Sequence, residues 1–195
     1  MKTTLRQSII AARLAISEDE RARLSCLIAG RLSKLEAYRN AATVLAYLNF
    51  GAEFAAEIFV RQALAEGKQV LLPKVNRLTQ QLEIYCVTDL SRDVALGVWD
   101  IREPLSERCA KLDDFSVIDF ILLPGVAFGR DGARLGYGGG FYDKLLATIA
   151  HQPALVAAAF ALQVVQDIPQ EATDRKVEWL VTEDETIRCA DVATE

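Results

Sequence analysis

The segment 132–146, GARLGYGGGFYDKLL, holds five of the chain's eleven glycines, with Arg134 ahead of the run and Asp143 behind it. Gly136, Gly138, Gly139 and Gly140 carry no side chains, so their backbone N–H groups can approach a ligand closely. The segment follows an apolar, strand-like run (IDFILLPG) and precedes a helical pattern (FYDKLLATIA). In open α/β sheets ligands bind just past the carboxyl ends of strands, and a helix N-terminus favours an anion. A phosphate fits that place. Arg134 adds a planar, permanently charged fork for its oxygens. Asp143 would repel a phosphate unless Mg²⁺ lay between them. The competing reading is a glycine-rich surface turn. Neither G-x-x-x-x-G-K-[ST] nor G-x-G-x-x-G is present: counted from Gly136, the last position of the second pattern is Phe141.

Other residues offer chemistry less directly. Lys2 and Arg6 are four apart and share one helical face, which suits either a polyphosphate or solvent. Glu53 follows NFGA at the end of a strand-like run. It could accept a ligand's N–H groups or lie on the surface. Trp99, within LGVWDIREP, could stack on a planar ring or cover the core. Asp174 stands beside Arg175 and Lys176, where a solvated charge is the simpler reading. The single histidine, His151, follows a helix and precedes Gln152-Pro153, so a Ser-His-Asp or Cys-His nucleophile system has almost nothing to work with.

These residues need a frame. At 195 residues the chain is long enough to bury a core without disulfides or a structural metal, and we expect one domain over 1–195. Leu5, Ile9, Ile10 and Ile16 predict a helix over 3–16. Ser17 and Glu20 have capping-box spacing for a second helix, striped by Leu24, Leu27, Ile28, Leu32 and Leu35. ATVLAYLNF reads as a buried strand, 54–66 as a helix stopped by Gly67, KQVLLPKV as a strand ended by Pro73, and LEIYCVT as a third, more exposed strand. Residues 88–116 are loop-rich. IDFILLPG, ALVAAAF and VEWLVT complete the strands. The predicted fold is a layered α/β domain: an open, mostly parallel sheet with helices on both faces.

Composition narrows the partners. The net charge of −5 argues against general binding to nucleic acid or to an anionic membrane. Cys26, Cys86, Cys109 and Cys189 form no C-x-x-C pair, which argues against a Cys/His zinc site and suits a reducing cytoplasm. The N-terminal segment lacks an unbroken apolar stretch and carries Arg6 and Arg13, unlike a secretory signal. We expect a cytoplasmic protein.

Taken together, the residues resemble the 5-formyltetrahydrofolate cyclo-ligases, also called 5,10-methenyltetrahydrofolate synthetases. LLPGVAFGRDGARLGYGGGFYDKLL carries the specific match. KTTLR, AYLNFGAEFAAEIF, GKQVLLPKV, LGVWDIREP and PQEATDRKVEWLVTE follow the family's order, so the likeness covers nearly the whole chain. It implies a Rossmann-like architecture similar to that of the sugar-phosphate isomerases and CoA-transferases. It also implies ATP- and Mg²⁺-dependent closure of 5-formyltetrahydrofolate to 5,10-methenyltetrahydrofolate. By the resemblance, Lys2 and Arg6 would hold ATP phosphates and Arg134 would stabilise the transferring phosphoryl group. Gly136, Gly138, Gly139 and Gly140 would line the junction of ATP and folate. Tyr137, Phe141 and Tyr142 would wall the pocket near the formyl group, with Tyr142 beside the chemistry. Leu48, Glu53 and Trp99 would contact the folate, Glu53 facing the pterin's N–H groups. Asp143 and Asp174 would hold Mg²⁺. The chain departs from the family at Gly129, Gly139, Phe141 and Thr173, while the proposed metal ligands are kept. The implied partner is a small molecule, 5-formyltetrahydrofolate or its polyglutamates, with no nucleic acid or membrane, and the implied state a monomer or weak homodimer. Two rivals stay in view: a non-catalytic folate- or nucleotide-binding relative, and a sugar-phosphate isomerase-like enzyme on a similar scaffold.

Overall fold

A computed structural model of the chain describes residues 2–97, 101–171 and 174–189. Helix α1 (Lys2–Leu14) is followed by α2 (Glu18–Leu32) and α3 (Glu36–Asn40), then strand β1 (Thr43–Leu45) and helix α4 (Ala56–Ala65). Strands β2 (Gln69–Asn76) and β3 (Gln81–Val87) form a hairpin. The short elements α5 (Leu90–Asp93), β4 (Val94–Leu96), β5 (Arg102–Pro104) and β6 (Lys111–Leu112) come next. The chain returns through β7 (Phe120–Leu123), β8 (Ala127–Gly129), β9 (Arg134–Leu135), α6 (Phe141–Thr148), β10 (Ala154–Ala158), β11 (Val164–Val165), β12 (Trp179–Val181) and β13 (Thr186–Arg188).

The main sheet has eight strands in the order β13-β12-β10-β7-β1-β2-β3-β6. Its centre, from β12 to β2, is parallel, and antiparallel strands complete both edges. The sequence shows why. A parallel strand covered on both faces must be apolar at every position. Val44, Phe120, Leu122, Val156 and Ala158 face one layer, with Ile28 and Leu32 of α2 and Phe59 and Val60 of α4. Leu45, Ile121, Leu123, Leu155 and Ala157 face the other, with Leu145 and Leu146 of α6. The expected mostly parallel sheet with helices on both faces is what the chain builds. The Ser17 hydroxyl caps α2 by accepting from the Glu20 N–H at 3.3 Å. Gly67, at φ +77°, ends α4.

One expectation fails. Pro73 does not end β2, which runs on to Asn76. β1 pairs only as far as Leu71, so the side of β2 facing away from β3 is open beyond that residue. The Val75 N–H, on that side, donates to the Glu103 carboxylate at 3.1 Å. Pro73, two residues earlier, points its nitrogen the same way, so no ladder bond is lost.

A small three-stranded sheet, β11-β8-β9, stands beside the main one. Ile9 of α1 packs on it with Val126, Ala127, Ala133, Leu135 and Ile168. This unit matters for function. It fixes α1 against the strand that leads into the glycine-rich loop.

Candidate active site

Arg134 and Leu135 are held in register by β8, Arg134 opposite Phe128 and Leu135 opposite Ala127. The glycine-rich loop starts at the next residue and ends at Gly140, the N-cap of α6. Gly138 (φ +105°) and Gly140 (φ +65°) adopt left-handed conformations that other residues rarely accept. The loop thus does not follow a central strand directly: the β8–β9 hairpin intervenes. Asp143 lies in the first turn of α6, where a carboxylate is favoured by the helix dipole.

Arg134 is buried in this bend. Its Nη2 donates to Asp143 Oδ1 at 2.6 Å and its Nη1 to the Pro124 carbonyl at 3.3 Å, while its buried Nε has no hydrogen-bond partner among the described residues. Arg6 reaches the loop from α1, its Nε donating to the Gly136 carbonyl at 2.7 Å. Lys2, one turn earlier, places its Nζ 2.8 Å from Glu171 Oε1 and 3.4 Å from Asp174 Oδ2. Asp174 Oδ2 also accepts from the Glu171 N–H at 2.9 Å.

A second cluster adjoins the loop. Tyr137 donates its hydroxyl hydrogen to Glu53 Oε1 in a short hydrogen bond. The Phe50 N–H donates to Glu53 Oε2 at 2.8 Å. Arg13 donates from Nη2 to the Tyr137 hydroxyl oxygen at 2.8 Å, and its Nη1 lies 4.0 Å from Glu53 Oε1. Burial pushes the Glu53 carboxyl above the usual carboxylate range, while Phe50, Tyr137 and Arg13 pull it back. Burial, and then the Glu53 charge, hold the Tyr142 hydroxyl far above its ordinary value. Tyr142 is therefore suited to donating a hydrogen bond and not to giving up its proton at neutral pH. Tyr47 is buried and shifted upward for the same two reasons.

Most of the sequence-derived site falls into these two connected groups. Lys2 and Asp174 touch, Arg6 touches Gly136, Arg134 touches Asp143, and Glu53 touches Tyr137. Leu48 is buried in the core layer that also holds Tyr47 and Phe54. Phe141 is half-buried, with its ring under Gly139: a Cβ on that glycine would lie 2.7 Å from the ring. Trp99 lies outside the described residues. Arg13 is the functional candidate that sequence reasoning passed over. A signal was present, since Arg13 falls on the same helical face as Ile9, four residues earlier, and a cation on an apolar face needs a reason.

Among the described residues no group of three or more His, Cys, Asp or Glu side chains gathers as a metal cage. Mg²⁺ does not need one. It commonly takes one or two carboxylates and completes its shell with phosphate oxygens and water. Asp143 and Asp174, each partly exposed and each paired with a cation, are donors of the right kind. Two surface clefts lie elsewhere. One of about 320 Å³ is lined by residues including Lys74, Arg77 and Glu103, and one of about 570 Å³ by residues including Cys26, Arg31 and Lys34. Among the described residues, none of the candidate site lines either cleft.

A mostly parallel α/β sheet covered by helices on both faces, with a glycine-rich loop bracketed by arginine and aspartate, defines the class: a layered α/β protein, in which ligand sites lie past the carboxyl ends of the strands. Comparison with known proteins narrows it. The 5-formyltetrahydrofolate cyclo-ligase family model matches residues 1–183. The chain is 30% identical to the 5-formyltetrahydrofolate cyclo-ligase of Mus musculus over 192 residues, 94% of each chain. It is 29% identical to that of Escherichia coli K12 over 178 residues, 87% of this chain and 93% of the relative. The NMR structure of 5,10-methenyltetrahydrofolate synthetase from Aquifex aeolicus superposes with a TM-score of 0.84 at 31% identity, covering 100% of this chain and 95% of that one. A 5,10-methenyltetrahydrofolate synthetase from Mycoplasma pneumoniae shares the fold, with a TM-score of 0.75 at 21% identity over 93% of this chain and 98% of that one. The chain belongs to the 5-formyltetrahydrofolate cyclo-ligase family, a family of ligases. Among the described residues no helix is long and apolar enough to cross a membrane.

Proposed function

We propose that residues 1–195 act as one unit that closes 5-formyltetrahydrofolate to 5,10-methenyltetrahydrofolate at the expense of ATP, releasing ADP and phosphate. One observation carries the placement. Arg6 grips the loop at Gly136, and the next residue, Tyr137, binds Glu53. The proposed phosphate side and the proposed folate side thus meet at two consecutive residues, as a transfer between the two ligands requires.

The formyl oxygen is a poor leaving group. Its attack on the γ-phosphorus of ATP forms a C–O–P link and expels ADP. The N10 lone pair then bonds to the formyl carbon, N10 gives up its proton, and the C–O bond breaks with phosphate leaving. The nucleophiles belong to the substrates, so the protein supplies position and charge. Lys2 and Arg6 hold ATP phosphates. Arg134 stabilises charge on the transferring phosphoryl group, a role that fits a nearly desolvated guanidinium. Glu53 accepts from the pterin's N–H groups, and Leu48 and Trp99 belong to the folate side. Gly136, Gly138, Gly139 and Gly140 let the loop backbone approach the junction. Tyr137 and Phe141 wall it, and Tyr142 offers a hydroxyl hydrogen there. Asp143 and Asp174 are the carboxylates that would hold Mg²⁺, which would supply charge neutralisation for the phosphates. We place the protein in the cytoplasm, acting on a small molecule, polyglutamylated or not, as a monomer or weak homodimer.

The test mixes purified protein, 5-formyltetrahydrofolate, ATP and Mg²⁺ and follows the absorbance of the methenyl product. ATP-dependent product is expected. A protein that binds folate and nucleotide without turnover fits the non-catalytic rival, and turnover of a sugar phosphate indifferent to ATP fits the other.

A further inference from the structure

Arg13 is a costly residue where it stands. It is 3% exposed, and its Nε and Nη1 are buried with no hydrogen-bond partner among the described residues. A buried, under-bonded guanidinium costs desolvation that an opposite charge and hydrogen bonds must offset. Glu53 is that charge: it is 6% exposed, and its Oε1 lies 4.0 Å from Arg13 Nη1. The Tyr137 hydroxyl bridges the two, accepting from Arg13 and donating to Glu53. Both carboxylate oxygens are therefore occupied, one by Tyr137 and one by the Phe50 N–H.

We propose that Arg13 is a positioning residue for the folate substrate: from beneath Tyr137 it keeps the buried Glu53 an ionised acceptor, ready for the substrate's N–H groups to take the place of the Tyr137 hydroxyl. This rests on the reading of Glu53 as the folate-facing carboxylate. The chemistry requires the ionised form. A protonated carboxyl would offer one donor and lose acceptor sites, against a ligand edge made of donors. The groups that face Glu53 come from every side. Arg13 belongs to α1, Tyr47 and the Phe50 N–H to the segment after β1, Tyr137 to the glycine-rich loop and Tyr142 to α6. The three tyrosines are neutral at physiological pH, each held above its ordinary value. Among the described groups acting on Glu53, Arg13 is the one that carries a charge. Tyr137 is 45% exposed, so its ring can leave the carboxylate without disturbing the core, whereas Arg13 cannot.

The experiment compares wild type with Arg13→Met, which keeps length and removes charge, and with Arg13→Lys, which keeps charge. KM for 5-formyltetrahydrofolate, KM for ATP and kcat are measured from pH 6 to pH 9, and folding is checked by thermal melting. Without Arg13 the Glu53 carboxyl rises, so its ionised fraction falls first at low pH. The folate KM of Arg13→Met should exceed that of wild type most at the acid end of the range, by up to about tenfold for each unit by which the carboxyl pKa rises, and approach it toward pH 9. The ATP KM should stay within about twofold, and Arg13→Lys should recover the wild-type pH profile. A folate KM that does not depend on pH differently from wild type overturns the inference, as does a parallel change in both KM values and kcat. Should Arg13→Met fail to fold, Arg13→Lys decides: a wild-type pH profile supports the inference and a shifted ATP KM overturns it. Wild-type protein that makes no product overturns the functional reading itself, and this inference falls with it. A competent wild type with an indifferent Arg13→Met removes the inference alone.

Discussion

Arg134 Nη2 sits 2.6 Å from Asp143 Oδ1, joining the strand that enters the glycine-rich loop to the first turn of the helix that leaves it. The arginine side chain is 6% exposed and the aspartate 26%. The pair serves both the reaction and the fold, and Arg134→Ala reads the first through kcat while Asp143→Asn reads the second through stability. Arg134→Ala should lower kcat by roughly 10²–10³, the cost of removing one preorganised donor to a charged transition state. Arg134→Lys should not restore it, because a point charge cannot replace a planar fork. Asp143→Asn should leave a buried guanidinium without its carboxylate and lower stability by roughly 1.5–3 kcal/mol. Steady-state kinetics and urea unfolding distinguish the two. Loss of stability without loss of activity in Arg134→Ala would assign the pair to the fold alone.

Lys2 presents the opposite balance. Its ion pairs with Glu171 and Asp174 are partly exposed and join side chains that solvent can reach. Such pairs contribute less than about 1 kcal/mol. Lys2→Met should therefore leave the melting temperature within a few degrees of wild type. The KM for ATP should nevertheless rise by about tenfold, the worth of one charge-assisted hydrogen bond to phosphate, with the folate KM unchanged. Chelation of Mg²⁺ should abolish turnover in both proteins. Equal effects on both substrates would remove Lys2 from the nucleotide side.

The central strands were legible because burial on both faces leaves apolar runs such as FILL and ALVAA that few other structures explain. The glycine-rich loop was legible because its composition is unusual. The small sheet was not. Its strands β8, β9 and β11 have three, two and two residues, too few to display a period of two. Pro73 misled for a related reason: whether a proline ends a strand depends on which side of it has a neighbour, and that is a fact of topology. Arg13 escaped because its partners, Tyr137 and Glu53, are 124 and 40 residues away in sequence. Its position on an apolar helical face was visible, but the carboxylate that explains it was not.

Asp93 gives a test of stability away from the site. It is 2% exposed and accepts from Thr88 N–H, Thr88 hydroxyl, Asp89 N–H and Arg92 Nε. The Arg92 bond foremost, with those backbone donors, holds its carboxyl well below the usual range. A depressed folded-state pKa contributes stability that is present above the unfolded value, about 3.9, and is lost as pH falls through the folded one. Asp93→Asn turns two amide hydrogens toward existing donors and should cost roughly 1.5–3 kcal/mol at pH 7. Urea midpoints measured from pH 7 to pH 2 should show the two proteins converging as the medium becomes acid. A gap that stays constant with pH would mean that shape, and not charge, holds this turn.

The same turn shields a thiol. Cys109 donates its S–H to the Asp93 carbonyl at 3.3 Å, and burial, followed by the Asp93 charge, pushes its pKa up. Cys189 is pushed up to about 11, chiefly by burial. The thiolate is the reactive form, so at pH 8 roughly one Cys189 in a thousand is competent even before access is considered. Cys26 is exposed on α2. A disulfide reagent should therefore modify Cys26 rapidly in the native protein, and Cys26→Ser should remove that phase. Cys109 and Cys189 should react only as fast as the structure opens. Asp93→Asn should accelerate Cys109 and leave Cys189 unchanged, because only Cys109 depends on the Asp93 turn for its cover. Acceleration of both would mean that the substitution loosens the whole molecule, and the local role assigned to Asp93 would be wrong.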